Sequence, residues 1–281
     1  MVFLYILTQH YIQPTGLHYV LAEASVGLQH RNMKPFPLPC QDAVSVTLKP
    51  RPILVLCDGA GSASVSEVGS TALTVQISRL CQSMEPMLAD YLDTPKQQQE
   101  LEVLVRVIIR HAMGVLQDLS HTYRREICDF RSTLNFALVG TEQILWVRVG
   151  DGEIVQERIS YFSDDTQQLS SECICLGEQA KGEYANQTQF IDQQLKLADV
   201  QWGVLSSKET TGLALMSDGA TEKLVANARD KIAVQITDWL EKMRQDKLKA
   251  SDLCKRFYSE DFTHQSTGDD RSVALWARAL Y

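Results

Sequence analysis

The 281-residue sequence predicts an α+β fold in which two antiparallel sheets pack face to face with helix pairs outside, a four-layer αββα sandwich. Three observations carry that expectation. Short alternating or wholly apolar runs typical of strands recur along the chain, and long segments with apolar residues at steps of three and four interrupt them. The resulting order, strands, a helix pair, strands, a second helix pair and a last strand, lacks the regular alternation of a parallel βαβ fold.

Residues 1–7 are apolar, have no basic residues ahead of them and no small-residue cleavage pattern behind, and read as a first strand. Residues 18–28 and 42–57 are strand-like. Ala43-Val44-Ser45-Val46-Thr47-Leu48 alternates, while Ile53-Leu54-Val55-Leu56 is a run buried on both faces. Pro35, Pro37 and Pro39 force an extended loop between the two. Helical spacing follows at 66–80 and 97–123, where Leu101, Leu104, Ile108, Ala112, Val115 and Leu119 form one face, and a linker around Pro86 and Pro95 makes these an antiparallel pair. Strands at 133–139, 143–149 and 153–159 form a meander with turns at Gly140-Thr141 and Asp151-Gly152. The polar stretch 160–189 is a candidate flap. Strand-like sequence returns at 190–205 and 213–216, then helices at 230–243 and 251–262 and a last strand at 272–279. With no repeat, low-complexity stretch or Gly/Ser/Pro-rich linker, residues 1–281 read as one domain.

The net charge of −8, with 35 acidic residues spread along the chain, argues against nucleic acid or an anionic membrane as partner and suits a divalent metal. No run approaches the length of about 20 apolar residues that crosses a bilayer, and the seven cysteines read as reduced core residues, which together point to the cytoplasm. Cys173 and Cys175 occupy alternating strand positions, and nothing nearby completes a zinc site.

Three times an apolar strand runs into Asp-Gly, at Asp58-Gly59, Asp151-Gly152 and Asp218-Gly219, and Asp269-Asp270 precedes the last strand. Carboxylates at strand ends are held rigidly, and an adjacent glycine lets backbone or ligand come close. Singly, each motif also suits a hairpin turn or a helix N-cap, and Asp42 suits a solvated turn.

Together the segments resemble a family. Pro39-Cys40-Gln41-Asp42, Asp58-Gly59-Ala60-Gly61-Ser62, Arg131-Ser132-Thr133-Leu134, Val149-Gly150-Asp151-Gly152, Ser217-Asp218-Gly219 and Asp269-Asp270-Arg271-Ser272-Val273 are similar, in order, to the motifs of the PP2C (PPM) metal-dependent protein phosphatases, in a divergent bacterial branch. Gln41 stands where the family often has a ligating Glu, and Gly61-Ser62 where it has two glycines.

The resemblance implies a phosphoprotein phosphatase that hydrolyses phosphoserine or phosphothreonine at a centre of two Mg²⁺ or Mn²⁺ ions, through a water or hydroxide bridging the metals. It casts Asp42, Asp58, Asp218 and Asp269 as the catalytic carboxylates. Asp58 would bridge both ions with the Gly59 carbonyl beside it, Asp218 and Asp269 would complete one ion, Asp42 would act through bound water, Gln41 would offer a neutral carbonyl, and Asp151 would help hold a third ion. Oxygen donors on a rigid frame select hard cations. The family's upstream phosphate-gripping Arg has His30 and Arg31 as its nearest counterparts. A cognate Ser/Thr kinase and a von Willebrand A-type protein follow as partners by analogy. Two further readings stay open: a catalytically silent PP2C-fold binding module, and a hydrolase of small phosphate esters.

Overall fold

The computed structural model describes residues 18–161, 169–178 and 188–280. The strand expected at residues 1–7 and parts of the expected flap at 160–189 lie outside the described residues. The chain begins with β1 (His18–Ser25), the short helix α1 (Leu28–Arg31), β2 (Asp42–Thr47) and β3 (Ile53–Asp58). Three helices follow, α2 (Ser66–Ser83), α3 (Glu85–Leu92) and α4 (Gln98–Tyr123). Strands β4 (Leu134–Val139), β5 (Gln143–Val149), β6 (Glu153–Tyr161), β7 (Leu169–Cys175), β8 (Gln201–Ser206) and β9 (Thr210–Met216) come next. Helices α5 (Asp218–Leu224), α6 (Val234–Arg244), α7 (Ala250–Phe257) and α8 (Glu260–Thr263) precede the last strand, β10 (Arg271–Arg278).

The strands form two five-stranded sheets, β2-β3-β4-β5-β8 and β1-β10-β9-β6-β7, with every paired neighbour antiparallel. Strand β3 explains the layering. Its residues 53–57 are fully buried because successive side chains point to opposite faces and both faces are covered. Ile53, Val55 and Cys57 meet Leu73 and Ile77 of α2 and Leu104 and Ile108 of α4. Leu54 and Leu56 meet Leu213, Leu215, Ala274 and Trp276 of the other sheet. The outer face of that second sheet, Met216 and Leu275 among it, is covered by Leu240 of α6 and Leu253 and Phe257 of α7. The four layers expected from the sequence are therefore present.

Several elements differ from expectation for local reasons. Helix α3 occupies the expected linker because Pro86 sits in its first turn, where a missing N–H is unpaired in any case. Its ends are tied to the strand pair β2–β3 by buried Arg51, which donates to Glu85 at 2.7 and 2.8 Å and to Asp93 at 3.0 and 3.2 Å. Strand β7 lies inside the stretch expected as a flap, and β8 is shorter than foreseen, since residues 190–200 contribute only an isolated bridge at Ile191 and a 3₁₀ turn at Leu197–Asp199. All seven cysteines are free, but only Cys57 and Cys81 are buried and Cys128 is exposed, so the core role expected of them holds for part of the set. No helix among the described residues is long and apolar enough to cross a membrane.

Helix α6 is fixed to its sheet by a buried ion pair. Arg244, 7% exposed, reaches the carboxylate of Glu157, 1% exposed, which also accepts the Thr211 hydroxyl at 2.7 Å. The guanidinium donates further to the carbonyls of Thr211 at 2.9 Å and Arg278 at 3.0 Å. Arg244→Ala leaves Glu157 as a buried, uncompensated charge, and urea unfolding is expected to register a loss of about 3–5 kcal/mol. Lys208→Ala, which removes a solvent-exposed ion pair with Glu142, should change stability by less than about 1 kcal/mol.

Candidate metal centre

Strand alternation assembles the site. Val44, Val46, Leu54 and Leu56 face the opposite sheet, so the two-residue period carries Asp42 at the start of β2 and Asp58 at the end of β3 onto the same inner face. Antiparallel register sets these two residues directly opposite each other. In the facing sheet Ala274 and Trp276 point inward, and the same period extends through Ser272 to Asp270. Leu213 and Leu215 lead in the same way to Ser217, whose N–H donates to the Ser272 carbonyl at 3.2 Å and whose hydroxyl accepts the Ser272 N–H at 3.0 Å. One residue further, Asp218 opens α5.

The result is a concentration of acid at one end of the sandwich. Burial, and then the charge of Asp270, pushes the Asp42 carboxyl well above its usual range, with the Ser217 and Ser272 hydroxyls acting in the opposite sense. Asp58 is pushed up by burial and then by Asp42 and Asp218. Asp218 is raised to about 6 by burial, Asp151 and Asp269. Asp42 Oδ2 is buried without a hydrogen-bond partner among the described residues. Asp151, exposed in the turn between β5 and β6, accepts the Thr188 hydroxyl at 2.6 Å, and Asp269 stands half-exposed at the rim.

The main chain around the acids is locked. The Gln41 carbonyl accepts the Gly59 N–H at 3.1 Å and the Ser70 hydroxyl at 2.6 Å. A Cβ at position 59 would lie 2.8 Å from that carbonyl and from Ser66 Cβ, so the approach requires glycine. The flanking bonds run from Ala60 N–H to the Arg131 carbonyl and from Thr133 N–H to the Asp58 carbonyl, and they leave the Gly59 carbonyl out.

Asp42, Asp58 and Asp218 are thus brought together, with Gly59 and Gln41 beside them and Asp151 and Asp269 close enough to raise Asp218. His30 and Arg31 diverge. His30 is buried with Nδ1 3.0 Å from Asp270 Oδ1 and Nε2 4.0 Å from Asp269 Oδ1, while the Arg31 guanidinium lies 5.8 Å from the centre of the Tyr258 ring.

Two residues quoted within the sequence motifs take places at the site that the sequence reading did not give them. Asp270 is 2% exposed and accepts the N–H groups of Gly27 at 2.6 Å and Gln41 at 2.5 Å. Its parity with Ser272 and Ala274 was the signal that it, rather than Asp269, points between the sheets. Arg131 sits beside the Asp58–Ser62 loop, donating to Ser62 Oγ at 2.6 Å with its guanidinium 5.1 Å from the Phe190 ring. Its buried Nε has no hydrogen-bond partner among the described residues. Sequence spacing gave no sign of that contact.

A family model described as Protein phosphatase 2C matches residues 29–253. No curated protein matches the sequence. Among solved structures, the serine/threonine phosphatase Stp1 from Staphylococcus aureus is similar at a TM-score of 0.55 and 17% identity, covering 97% of this chain and 98% of that one. The serine/threonine phosphatase PstP/Ppp of Mycobacterium tuberculosis gives 0.58 and 13%, covering 94% and 100%. The catalytic domain of PstP in complex with two manganese ions gives 0.58 and 13%, covering 94% and 99%. At these identities the likeness speaks to the fold.

A carboxyl group whose folded pKa is raised holds its proton longer in the folded state, so its contribution to stability is full below the unfolded value and is lost as pH rises through the folded one. For Asp218 that window runs from about 4 to about 6. In excess chelator at pH 7.5, Asp218→Asn is therefore expected to melt above the parent protein by roughly 2–6 °C and to show a flatter dependence of Tm on pH between 4 and 7. An unchanged or lower Tm in calorimetry would contradict the charge crowding described here.

Proposed function

Because this chain belongs to the protein phosphatase 2C family, we propose that it is a protein serine/threonine phosphatase whose strand-end carboxylates hold two Mg²⁺ or Mn²⁺ ions. The observation that carries this reading is the set Asp42, Asp58 and Asp218, the first buried and the other two partly so, each raised by burial and by other carboxylates, with Asp42 Oδ2 unpartnered among the described residues. So much converging negative charge calls for a counter-charge, and a donor set of oxygens suits hard divalent ions.

Asp58, the Gly59 carbonyl, Asp218 and Asp269 would hold the ions, with Asp42, Gln41 and Asp151 around them. Bound there, divalent cations supply Lewis acidity, which lowers the pKa of coordinated water and offsets charge on a phosphoryl group. The chain's own part is positional. β2 and β3 fix Asp42 against Asp58, the Ser217–Ser272 pairing fixes the start of α5, and the Gln41–Gly59 contact turns the backbone at Gly59. We assign phosphoryl binding to Arg131, which is held on the loop after Asp58 by Ser62 and Phe190 and whose Nε has no hydrogen-bond partner among the described residues. The role foreseen for His30 and Arg31 has less support, since one faces two carboxylates and the other an aromatic ring. Gln41, neutral where a carboxylate is usual, favours a second reading in which the fold binds a partner without turnover.

Hydrolysis of a phosphothreonine peptide with Mn²⁺, Mg²⁺ or chelator separates the two readings. Metal-dependent turnover that falls at least about 1,000-fold in both Asp58→Asn and Asp218→Asn supports the phosphatase, whereas absence of turnover with either ion ends it. Arg131→Ala should lower kcat/KM by about 10–100-fold, the worth of a charge-assisted hydrogen bond.

A further inference from the structure

We propose that His30 supplies Nε2 as a nitrogen ligand to the cation held by Asp269, with Asp270 as the positioning residue for its ring, and that this nitrogen biases the centre toward a transition ion over Mg²⁺; the inference rests on the metal-centre reading above.

His30 is only 6% exposed, an unusual place for an imidazole unless it is paired or ligating. Its carboxylate partners come from the strand end, and one ligand atom each from His30, Asp269 and Asp270 lies within 4.8 Å of the others. Asp270 is already committed, since its two oxygens accept the N–H groups of Gly27 and Gln41. It is an anchor, and Nδ1 of His30 lies 3.0 Å from its Oδ1, a close approach without hydrogen-bond geometry that leaves Nδ1 buried and without a hydrogen-bond partner among the described residues. Nε2 is the ring atom on the Asp269 side, 4.0 Å from Oδ1. Ligands about 2.1 Å from an octahedral cation are roughly 3.0 Å apart when adjacent and about 4.2 Å when opposite, so the pair can share one ion with little movement.

The ring is held in place by its backbone. Gln29 N–H donates to the Gly268 carbonyl at 2.8 Å and Leu38 N–H to the His30 carbonyl at 3.0 Å. Gly27 lies so close that a Cβ there would fall 2.2 Å from the Asp269 carbonyl oxygen. Helix α1 is thereby docked on the strand end that carries both aspartates. A neutral nitrogen donor favours first-row transition ions over Mg²⁺, which keeps to oxygen.

Pulsed electron paramagnetic resonance of the full chain loaded with Mn²⁺ tests this without relying on turnover. Nitrogen modulation is expected, shifting in frequency when the protein carries ¹⁵N-histidine and disappearing in His30→Gln. By calorimetric titration, His30→Gln should weaken Mn²⁺ binding at least about tenfold and Mg²⁺ binding less than about threefold. Mn²⁺ bound without histidine modulation in the parent protein, or modulation that survives in His30→Gln, overturns the nitrogen ligand and leaves the oxygen centre standing. Failure of the parent protein to bind Mn²⁺ at all removes both.

Discussion

Asp42 lies buried, and Asp58 and Asp218 partly buried, at one end of two packed sheets, where the strongest influence after burial itself is the charge of other acids. Keeping like charges in so dry a place opposes folding, and the surrounding structure has to overcome it. It does so with elements that cannot move independently. The apolar run of β3 is buried on both faces, and its last residue is Asp58. The pairing with β2 that sets Asp42 opposite Asp58 is the same pairing that buries Val46 against Leu54. A slip of one residue in β2 would turn Asp42 outward, away from Asp58, and the valines with it.

Asp270 extends that constraint from one sheet to the other. Its carboxylate stands just before the last strand of one sheet and accepts the N–H of Gln41, which leads into the edge strand of the opposite sheet. The other oxygen takes Gly27, in the segment that carries α1. One side chain therefore ties together the strand ends, the helix bearing His30 and the backbone whose Gln41 carbonyl receives Gly59. The layer between the sheets is apolar and contributes attraction without direction. Asp270 contributes the direction.

Much of this was legible in the sequence, and the reason is periodicity. The alternation at Ala43 to Leu48, the doubly buried run at Ile53 to Leu56 and the helical spacing from Leu101 to Leu119 each state their element locally, and the structure follows them. The Asp-Gly junctions were readable because strand ends are where rigid acids can converge. Contacts created by folding were not readable. That His30 lies beside Asp269 and Asp270, some 240 residues later in the chain, depends on β1 pairing with β10, and nothing near His30 announces that. Arg131 reads as an ordinary residue before a strand, and only the bridge between Gly59 and Ser132 brings it beside Ser62. Helix α3 was missed because Pro86 reads as a breaker unless its place in the first turn is known.

The division of the acids between the sheets has a mechanical meaning. Asp42 and Asp58 ride on one layer, and Asp218 and Asp269 on the other, so the gap between the two groups of acids is set by how far apart the two layers rest. The thickness of the apolar filling, at Leu54, Leu56, Leu215 and Trp276, works as a spacer whose bulk is felt at the mouth of the sandwich. Residues with no polar atom near the acids thereby help to set how closely the two groups of carboxylates face each other.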